Sequence, residues 1–140
     1  PLPPFDTPTI DNSRGVDPIC TRSEGTCPFH DITLTEALKS GKPVVYFIGT
    51  PAYCQTGTCA PGLDALIELS MKVGDDAIFV HADVYADKTA TNLAPAVEAY
   101  KLTYEPLLYI TDAKGVLVNR LDAVFDVTEM SSALAAVGIS

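Results

Sequence analysis

The sequence has few basic residues and no long hydrophobic run. Its 140 residues include 9 Lys and Arg against 18 Asp and Glu, which gives a net charge of −9. Phosphate recognition needs clustered basic side chains, so this balance disfavours nucleic acid and anionic lipid as partners. The longest apolar stretches, PVVYFIG and AIFVHADVY, fall far short of the ~20 residues that a membrane-crossing helix requires. We therefore predict a soluble chain without a transmembrane segment.

Several other signals are also missing. The chain does not open with a basic region followed by an apolar one, as an intact signal peptide would. It contains no internal repeat, no low-complexity tract and no paired carboxylates at a recognisable catalytic spacing. The hydrophobic fraction of 47% is enough for one domain to bury an ordinary core without metals or many disulfides. The cysteines are therefore expected to have a role beyond stability.

The four cysteines form two close pairs, Cys20 with Cys27 and Cys54 with Cys59. An even number of cysteines at short loop spacing is typical of oxidising compartments. We therefore expect an extracytoplasmic protein, with a cytoplasmic redox protein as the alternative. The abrupt opening, PLPPFDTP, resembles a chain from which a signal or lipid anchor has been removed, so anchoring through a segment absent from this sequence belongs to the same expectation.

The sequence divides into an N-terminal arm and a domain. Residues 1–28 contain six of the 11 prolines and little periodicity, which predicts an irregular arm outside the core. We place the arm, with Cys20 and Cys27, at 1–29 and the domain at 30–140. A disulfide across so short a loop would stabilise the arm by roughly 2–3 kcal/mol at most. A structural bridge is the expected role of this pair, and a second redox pair that serves Cys54 and Cys59 is the alternative.

The domain alternates helical and strand patterns. TLTEALKSG predicts a short helix over 34–40, with Thr33 as N-cap, Glu36 completing a capping box and Gly41 ending the helix. Continuous apolar runs predict buried strands, and DAKG predicts the turn of a hairpin. The remaining predicted elements are strands at 42–49 and 77–85, helices at 59–73 and 94–102, hairpin strands PLLYIT and VLVNRLD, and a last helix opened by Asp126 and Glu129. This order predicts an α/β domain with a central mixed sheet and helices on both faces.

These elements resemble the thioredoxin superfamily over about residues 30–138. The resemblance is carried by KPVVYFIGTPAYC, by the amphipathic helix after Cys59, by YEPLLYI and by the DAKG hairpin with its closing helix. The chain is most similar to extracytoplasmic thioredoxin-like domains of bacterial envelopes, some of them lipid-anchored. The resemblance implies a thioredoxin-like fold and a thiol-disulfide oxidoreductase that acts through Cys54 and Cys59 without an organic cofactor.

The resemblance also implies partners and a substrate groove. The expected partners are a protein or small thiol substrate and a redox partner protein. Pro106 matches the position of the superfamily's cis-proline, opposite the active cysteines, where the backbone of Glu105 would pair with an extended substrate. Tyr53, next to Cys54, is a candidate for substrate contact.

The cysteine motif departs from the superfamily pattern. CQTGTC places four residues between the cysteines, whereas thioredoxins place two, and the usual WCGPC context is replaced. On a regular helix this spacing would exceed the ~7 Å reach of a disulfide, so QTGT must form a loop and the helix should start after Gly57. Thr58 would then be the N-cap, and Cys59 would lie nearest the positive end of the helix dipole. The resemblance favours Cys54 as the nucleophile, and the capping argument favours Cys59.

Three other interpretations stay open for the Cys54–Cys59 pair. It could be a structural disulfide, or the domain could be a non-catalytic binding module. A copper-binding assembly factor is the third, with Cys54, Cys59 and His81 as ligands, because soft thiolates with an imidazole suit copper. Within its strand, however, His81 is expected to be an ordinary packed residue, and His30 a surface residue. No metal ligand is therefore predicted outside the copper alternative.

Overall fold

The residues that the structure describes form a mixed four-stranded sheet. The computed structural model describes residues 7, 9–11, 20, 27–49, 59–82, 107–122, 132 and 135. The elements within these ranges are, in chain order, α1 (Leu34–Leu38), β1 (Val44–Ile48), α2 (Cys59–Val73), a short 3₁₀ helix (Gly74–Asp76), β2 (Ile78–Ala82), β3 (Leu107–Thr111) and β4 (Leu117–Asp122).

The strand order is β2-β1-β3-β4, which makes β1 a central strand. It runs parallel to β2 and antiparallel to β3, and β3 pairs with β4 as the predicted antiparallel hairpin. Ile48, the last residue of β1, lies beside Ala82 on β2 and Leu107 on β3. The ends of β1 and β2 and the start of β3 therefore share one edge of the sheet, which we call the carboxyl edge.

Helices cover both faces of this sheet, as predicted. All five residues of β1 are buried, which is the pattern of a strand packed on both sides. Val45 and Phe47 point into the same core cluster as Leu63 and Leu66 of α2. The alternate residues of β1 pack in a second cluster with Leu34 of α1. Each face of the central strand thus has its own helix.

The N-terminal residues that the structure describes belong to the core. Cys20, Cys27 and Phe29 are buried in the cluster that α2 shares with β1. The Phe29 carbonyl accepts a hydrogen bond from the backbone N–H of His81 at 3.1 Å, so this segment covers the outer edge of β2. The expectation that residues 1–28 lie outside the core is wrong for these positions, because an edge strand leaves backbone groups that a neighbouring segment can pair with.

The observed bounds agree closely with the predicted helices and strands. α2 spans the predicted 59–73, whereas α1 ends at Leu38, two residues before its predicted end at 40. Gly41 adopts φ +81° after α1, which is a conformation that favours glycine. The predicted helix at 94–102 lies outside the described residues. Of the last predicted helix only Ser132 and Ala135 are described, and both are helical.

Removing the Thr33 hydroxyl should weaken α1. The Thr33 side chain accepts a hydrogen bond from the backbone N–H of Glu36 at 3.0 Å, and the Glu36 carboxylate accepts from the backbone N–H of Thr33, so the predicted capping box is confirmed. We expect Thr33→Ala to lower the free energy of unfolding by about 1 kcal/mol. Urea denaturation followed by circular dichroism measures this loss. Thr33→Ser keeps the capping oxygen and should lose much less, and equal losses in the two variants would contradict a capping role.

Candidate functional site

The CQTGTC segment connects the central strand to the helix that follows it. β1 ends at Ile48 and α2 begins at Cys59, which confirms the prediction that the helix starts after Gly57. Cys59 is therefore the first helical residue, although nothing is described of its side chain. Tyr53 and Cys54 lie outside the described residues, as do Glu105 and Pro106.

The start of β3, just after Pro106, and the end of β1, just before the cysteine segment, lie at the same edge of the sheet. β3 begins at Leu107, the residue after Pro106, and Leu107 pairs with Ile48 at the end of β1. The chain therefore brings the start of β3 beside the point from which residues 50–58 depart. The groove that the sequence predicts at Glu105 and Pro106 lies outside the described residues and stays a prediction.

A second group of side chains lies at the carboxyl edge, and we call it the Cys2His2 cluster. Its members are Cys20, Cys27, His30 and His81, all buried, and one potential ligand atom from each lies within 4.8 Å of all the others. The Cys27 Sγ is 3.5 Å from His81 Nδ1, and the His30 Nε2 is 3.0 Å from the same nitrogen. The backbone N–H of Cys27 donates to Cys20 Sγ at 3.4 Å.

Two separate parts of the chain build this cluster. His81 is on β2 opposite Phe47 of β1, and its ring lies 5.6 Å from the Phe47 ring on the face that α2 covers. Cys27 and His30 lie two residues before and one residue after Phe29. The Phe29 carbonyl accepts a hydrogen bond from the backbone N–H of His81. The Nε2 of His81 lies 2.8 Å from the Gly49 carbonyl, just beyond the end of β1. Because a carbonyl can only accept, this nitrogen carries a hydrogen and Nδ1 is the atom that faces the cluster.

The cluster favours the thiolate form of Cys20. Hydrogen bonding with the Cys27 side chain lowers the pKa of the Cys20 thiol well below its ordinary value. Burial raises this pKa, and hydrogen bonds with His30 and His81 lower it further. The net direction is strongly downward, so the cluster stabilises the Cys20 thiolate relative to the thiol.

The cluster changes the roles predicted for its four residues. His30 is fully buried, so the expectation of a surface histidine is wrong. His81 is not merely packed, since both of its ring nitrogens contact the groups described above. Cys20 and Cys27 are not joined by a disulfide in this structure, and their sulfurs lie close to the two imidazoles. The C-x2-H spacing of Cys27 and His30, close to that of metal-ligand pairs, is the sequence signal that could have indicated the cluster.

The sheet, the helix on each face and the cysteine at the start of α2 define a thioredoxin-like fold. A thioredoxin-family thiol:disulfide interchange protein from Chlorobium tepidum aligns over 98% of this chain and 94% of its own, with 14% identity and a TM-score of 0.66. The MTB dsbF protein aligns over 95% and 94%, with 19% identity and a TM-score of 0.58. Thioredoxin O2 from Arabidopsis thaliana aligns over 72% and 83%, with 22% identity and a TM-score of 0.55.

These similarities are in structure, at sequence identities of 14–22%. No protein-family model and no curated protein matches this sequence. Within the ranges that the structure describes, no helix combines the length and apolar character needed to span a bilayer.

Proposed function

We propose that this protein is a thiol-disulfide oxidoreductase that acts through Cys54 and Cys59. The observation that carries the proposal is the position of Cys59 as the first residue of the 15-residue helix α2, which directly follows the cysteine segment after the central strand. A helix N-terminus stabilises a thiolate, and the thiolate is the attacking form of cysteine. The fold shared with a thiol:disulfide interchange protein supports the same chemistry.

The reaction is a pair of thiol-disulfide exchanges. The attacking thiolate forms a bond to one sulfur of a substrate disulfide, the substrate S–S bond breaks, and the released substrate thiolate takes a proton from solvent. The other cysteine then loses its proton and attacks the mixed disulfide. This second step releases the reduced substrate and leaves Cys54 and Cys59 joined. A redox partner protein restores the dithiol by the same exchange with the roles reversed, and no organic cofactor takes part.

The substrate is proposed to bind beside the start of β3. Leu107 pairs with Ile48, so Glu105 and Pro106 precede a residue already at the carboxyl edge. Proline has no N–H and ends backbone pairing, which leaves the Glu105 backbone free to bind an extended protein thiol or disulfide substrate. Tyr53, adjacent to Cys54, is proposed as a further contact. Such a protein would work in an extracytoplasmic compartment, where disulfides persist.

The test is a redox titration of the individual cysteines. The chain is equilibrated in glutathione buffers of graded potential, free thiols are alkylated, and mass spectrometry of the peptides separates Cys54 and Cys59 from Cys20 and Cys27. We expect a reversible Cys54–Cys59 disulfide with a midpoint above about −300 mV. A pair that stays oxidised below that potential would be a structural bridge. Two free thiols in aerobically purified protein, with tight Cu(I) binding lost in Cys54→Ser, would instead favour the copper alternative.

A further inference from the structure

We propose that Cys20, Cys27, His30 and His81 bind a structural zinc ion at the carboxyl edge of the sheet. This site uses neither Cys54 nor Cys59 as a ligand and does not depend on the proposed redox function. The four residues supply two thiolates and two imidazoles, which together complete the four-coordinate ligand set of a structural zinc site. All four are buried, with exposed fractions of 5%, 1%, 0% and 0% in the order given.

Two of the separations between ligand atoms are close to those of a tetrahedral zinc centre. Zinc binds sulfur at about 2.3 Å and imidazole nitrogen at about 2.0–2.1 Å, so tetrahedral angles separate a sulfur from a nitrogen by about 3.5 Å and two nitrogens by about 3.3 Å. The Cys27 Sγ lies 3.5 Å from His81 Nδ1, and the two histidine nitrogens are 3.0 Å apart. These two separations are therefore close to the tetrahedral values, and all four ligand atoms lie within 4.8 Å of one another.

The surroundings of His81 orient it as a zinc ligand. Histidines that bind metal usually donate their other N–H to a carbonyl or carboxylate, which fixes the tautomer. The Nε2 of His81 donates to the Gly49 carbonyl at 2.8 Å, and the backbone N–H of Gly49 in turn donates to the Ala82 carbonyl at 3.0 Å. The Nδ1 lone pair is thus held toward the other three ligands before any ion binds.

Zinc replaces the hydrogen that lies between the two imidazoles. His30 Nε2 and His81 Nδ1 share one hydrogen in a 3.0 Å hydrogen bond. When the ion binds at His30 Nε2, the hydrogen of this ring is carried by Nδ1, and any remaining thiol proton is released to solvent. No electron is transferred, since zinc has no redox chemistry in proteins. The mixed sulfur and nitrogen set favours zinc over magnesium or calcium, which select oxygen ligands.

Metal analysis of the full chain tests the proposal. The protein is purified with a non-chelating reductant, loaded with Zn²⁺ and freed of excess ion, and the zinc content is measured by mass spectrometry. We expect about one zinc per chain, the stoichiometry of one closed structural site. Replacement of zinc by Co²⁺ should give the visible absorption of tetrahedral cobalt with a thiolate charge-transfer band. A folded, reduced chain that binds neither ion would overturn the proposal.

The histidines offer a direct spectroscopic readout. The chain contains only two histidines, and both lie in the cluster. Nitrogen-15 NMR of the imidazoles should show zinc at Nε2 of His30 and at Nδ1 of His81, each with a hydrogen on the opposite nitrogen. Unchanged imidazole signals after zinc loading would exclude these histidines as ligands.

Variants separate this site from the redox pair. Cys27→Ser and His81→Gln should each weaken the affinity for zinc by more than about 100-fold. This is more than the loss expected when a residue that only hydrogen-bonds to a ligand is replaced. If either variant fails to fold, His30→Gln and the cobalt spectrum of the unaltered chain still test the assignment. The control, Cys54→Ser with Cys59→Ser, should retain zinc fully. Loss of zinc in the control, with zinc retained in Cys27→Ser, would refute the proposed ligands. A Cys20–Cys27 disulfide in the unaltered chain isolated without reductant would also refute them.

Discussion

Replacing either Cys54 or Cys59 by serine is expected to reduce disulfide exchange to the background rate of the substrate with small thiols. Each cysteine is required for one of the two exchanges, so neither variant can complete a turnover. The two variants should differ in what accumulates. Because Cys59 is the first residue of α2, the helix dipole favours its thiolate. We therefore expect Cys54→Ser, which keeps Cys59, to accumulate the mixed disulfide, and Cys59→Ser to form little of it.

Reduction of a model protein disulfide, with mass spectrometry of the trapped species, measures both effects. Met71→Ala is a suitable control because this side chain is 77% exposed on the same helix and should leave the rate unchanged. Mixed disulfide that accumulates only in Cys59→Ser would assign the attack to Cys54, as the resemblance to thioredoxins suggests. Full exchange activity in both variants would contradict the proposed function.

Truncating Phe47 to alanine should destabilise the protein by about 3–5 kcal/mol, the usual cost of removing a buried aromatic ring from a core. Phe47 is fully buried in the central strand. Its ring belongs to the hydrophobic core cluster that the sheet shares with α2. The centre of the ring lies 5.6 Å from that of His81. The lost ring would leave a cavity between the sheet and the helix. Because a native domain has only about 5–15 kcal/mol of stability, this loss is a large fraction of the total.

Urea denaturation of the reduced chain measures this loss. Val118→Ala is the matched control, since Val118 is a β-strand residue that is 46% exposed and should change the free energy of unfolding by about 0.5 kcal/mol or less. Phe47→Leu should recover a substantial part of the loss by refilling the space. Similar unfolding energies for Phe47→Ala and Val118→Ala would mean that Phe47 does not contribute to the core as the structure indicates.

The sequence could predict α1, α2 and the central strand because each depends on residues close together in the chain. The capping box of Thr33 and Glu36 spans one helical turn, and VVYFI is apolar at every position, as a strand buried on both faces requires. The start of α2 at Cys59 was predicted from the same local physics, since a disulfide across the C-x4-C spacing requires the helix to begin after Gly57. Pattern and spacing were sufficient for these elements.

The candidate redox pair was predicted from the position of two cysteines between a strand and a helix, where the thioredoxin superfamily has its active cysteines, and it stays a prediction. The pairing of the start of β3 with the end of β1 was not local. Leu107 and Ile48 are brought together by the antiparallel register of the sheet. Only this register places the residue after Pro106 beside the strand from which the cysteine segment departs.

The sequence by itself determined the alternation of helices and strands, the α/β class and the position of Cys59 at a helix start. The tertiary structure decided the Cys2His2 cluster. His30 and His81 are 51 residues apart, and they meet because the Phe29 carbonyl pairs with the outer edge of β2. A histidine within a strand and another in an irregular segment have no local pattern in common. Their proximity depends on which segment covers an edge strand, and that choice is made by packing and hydrogen bonding across the whole domain.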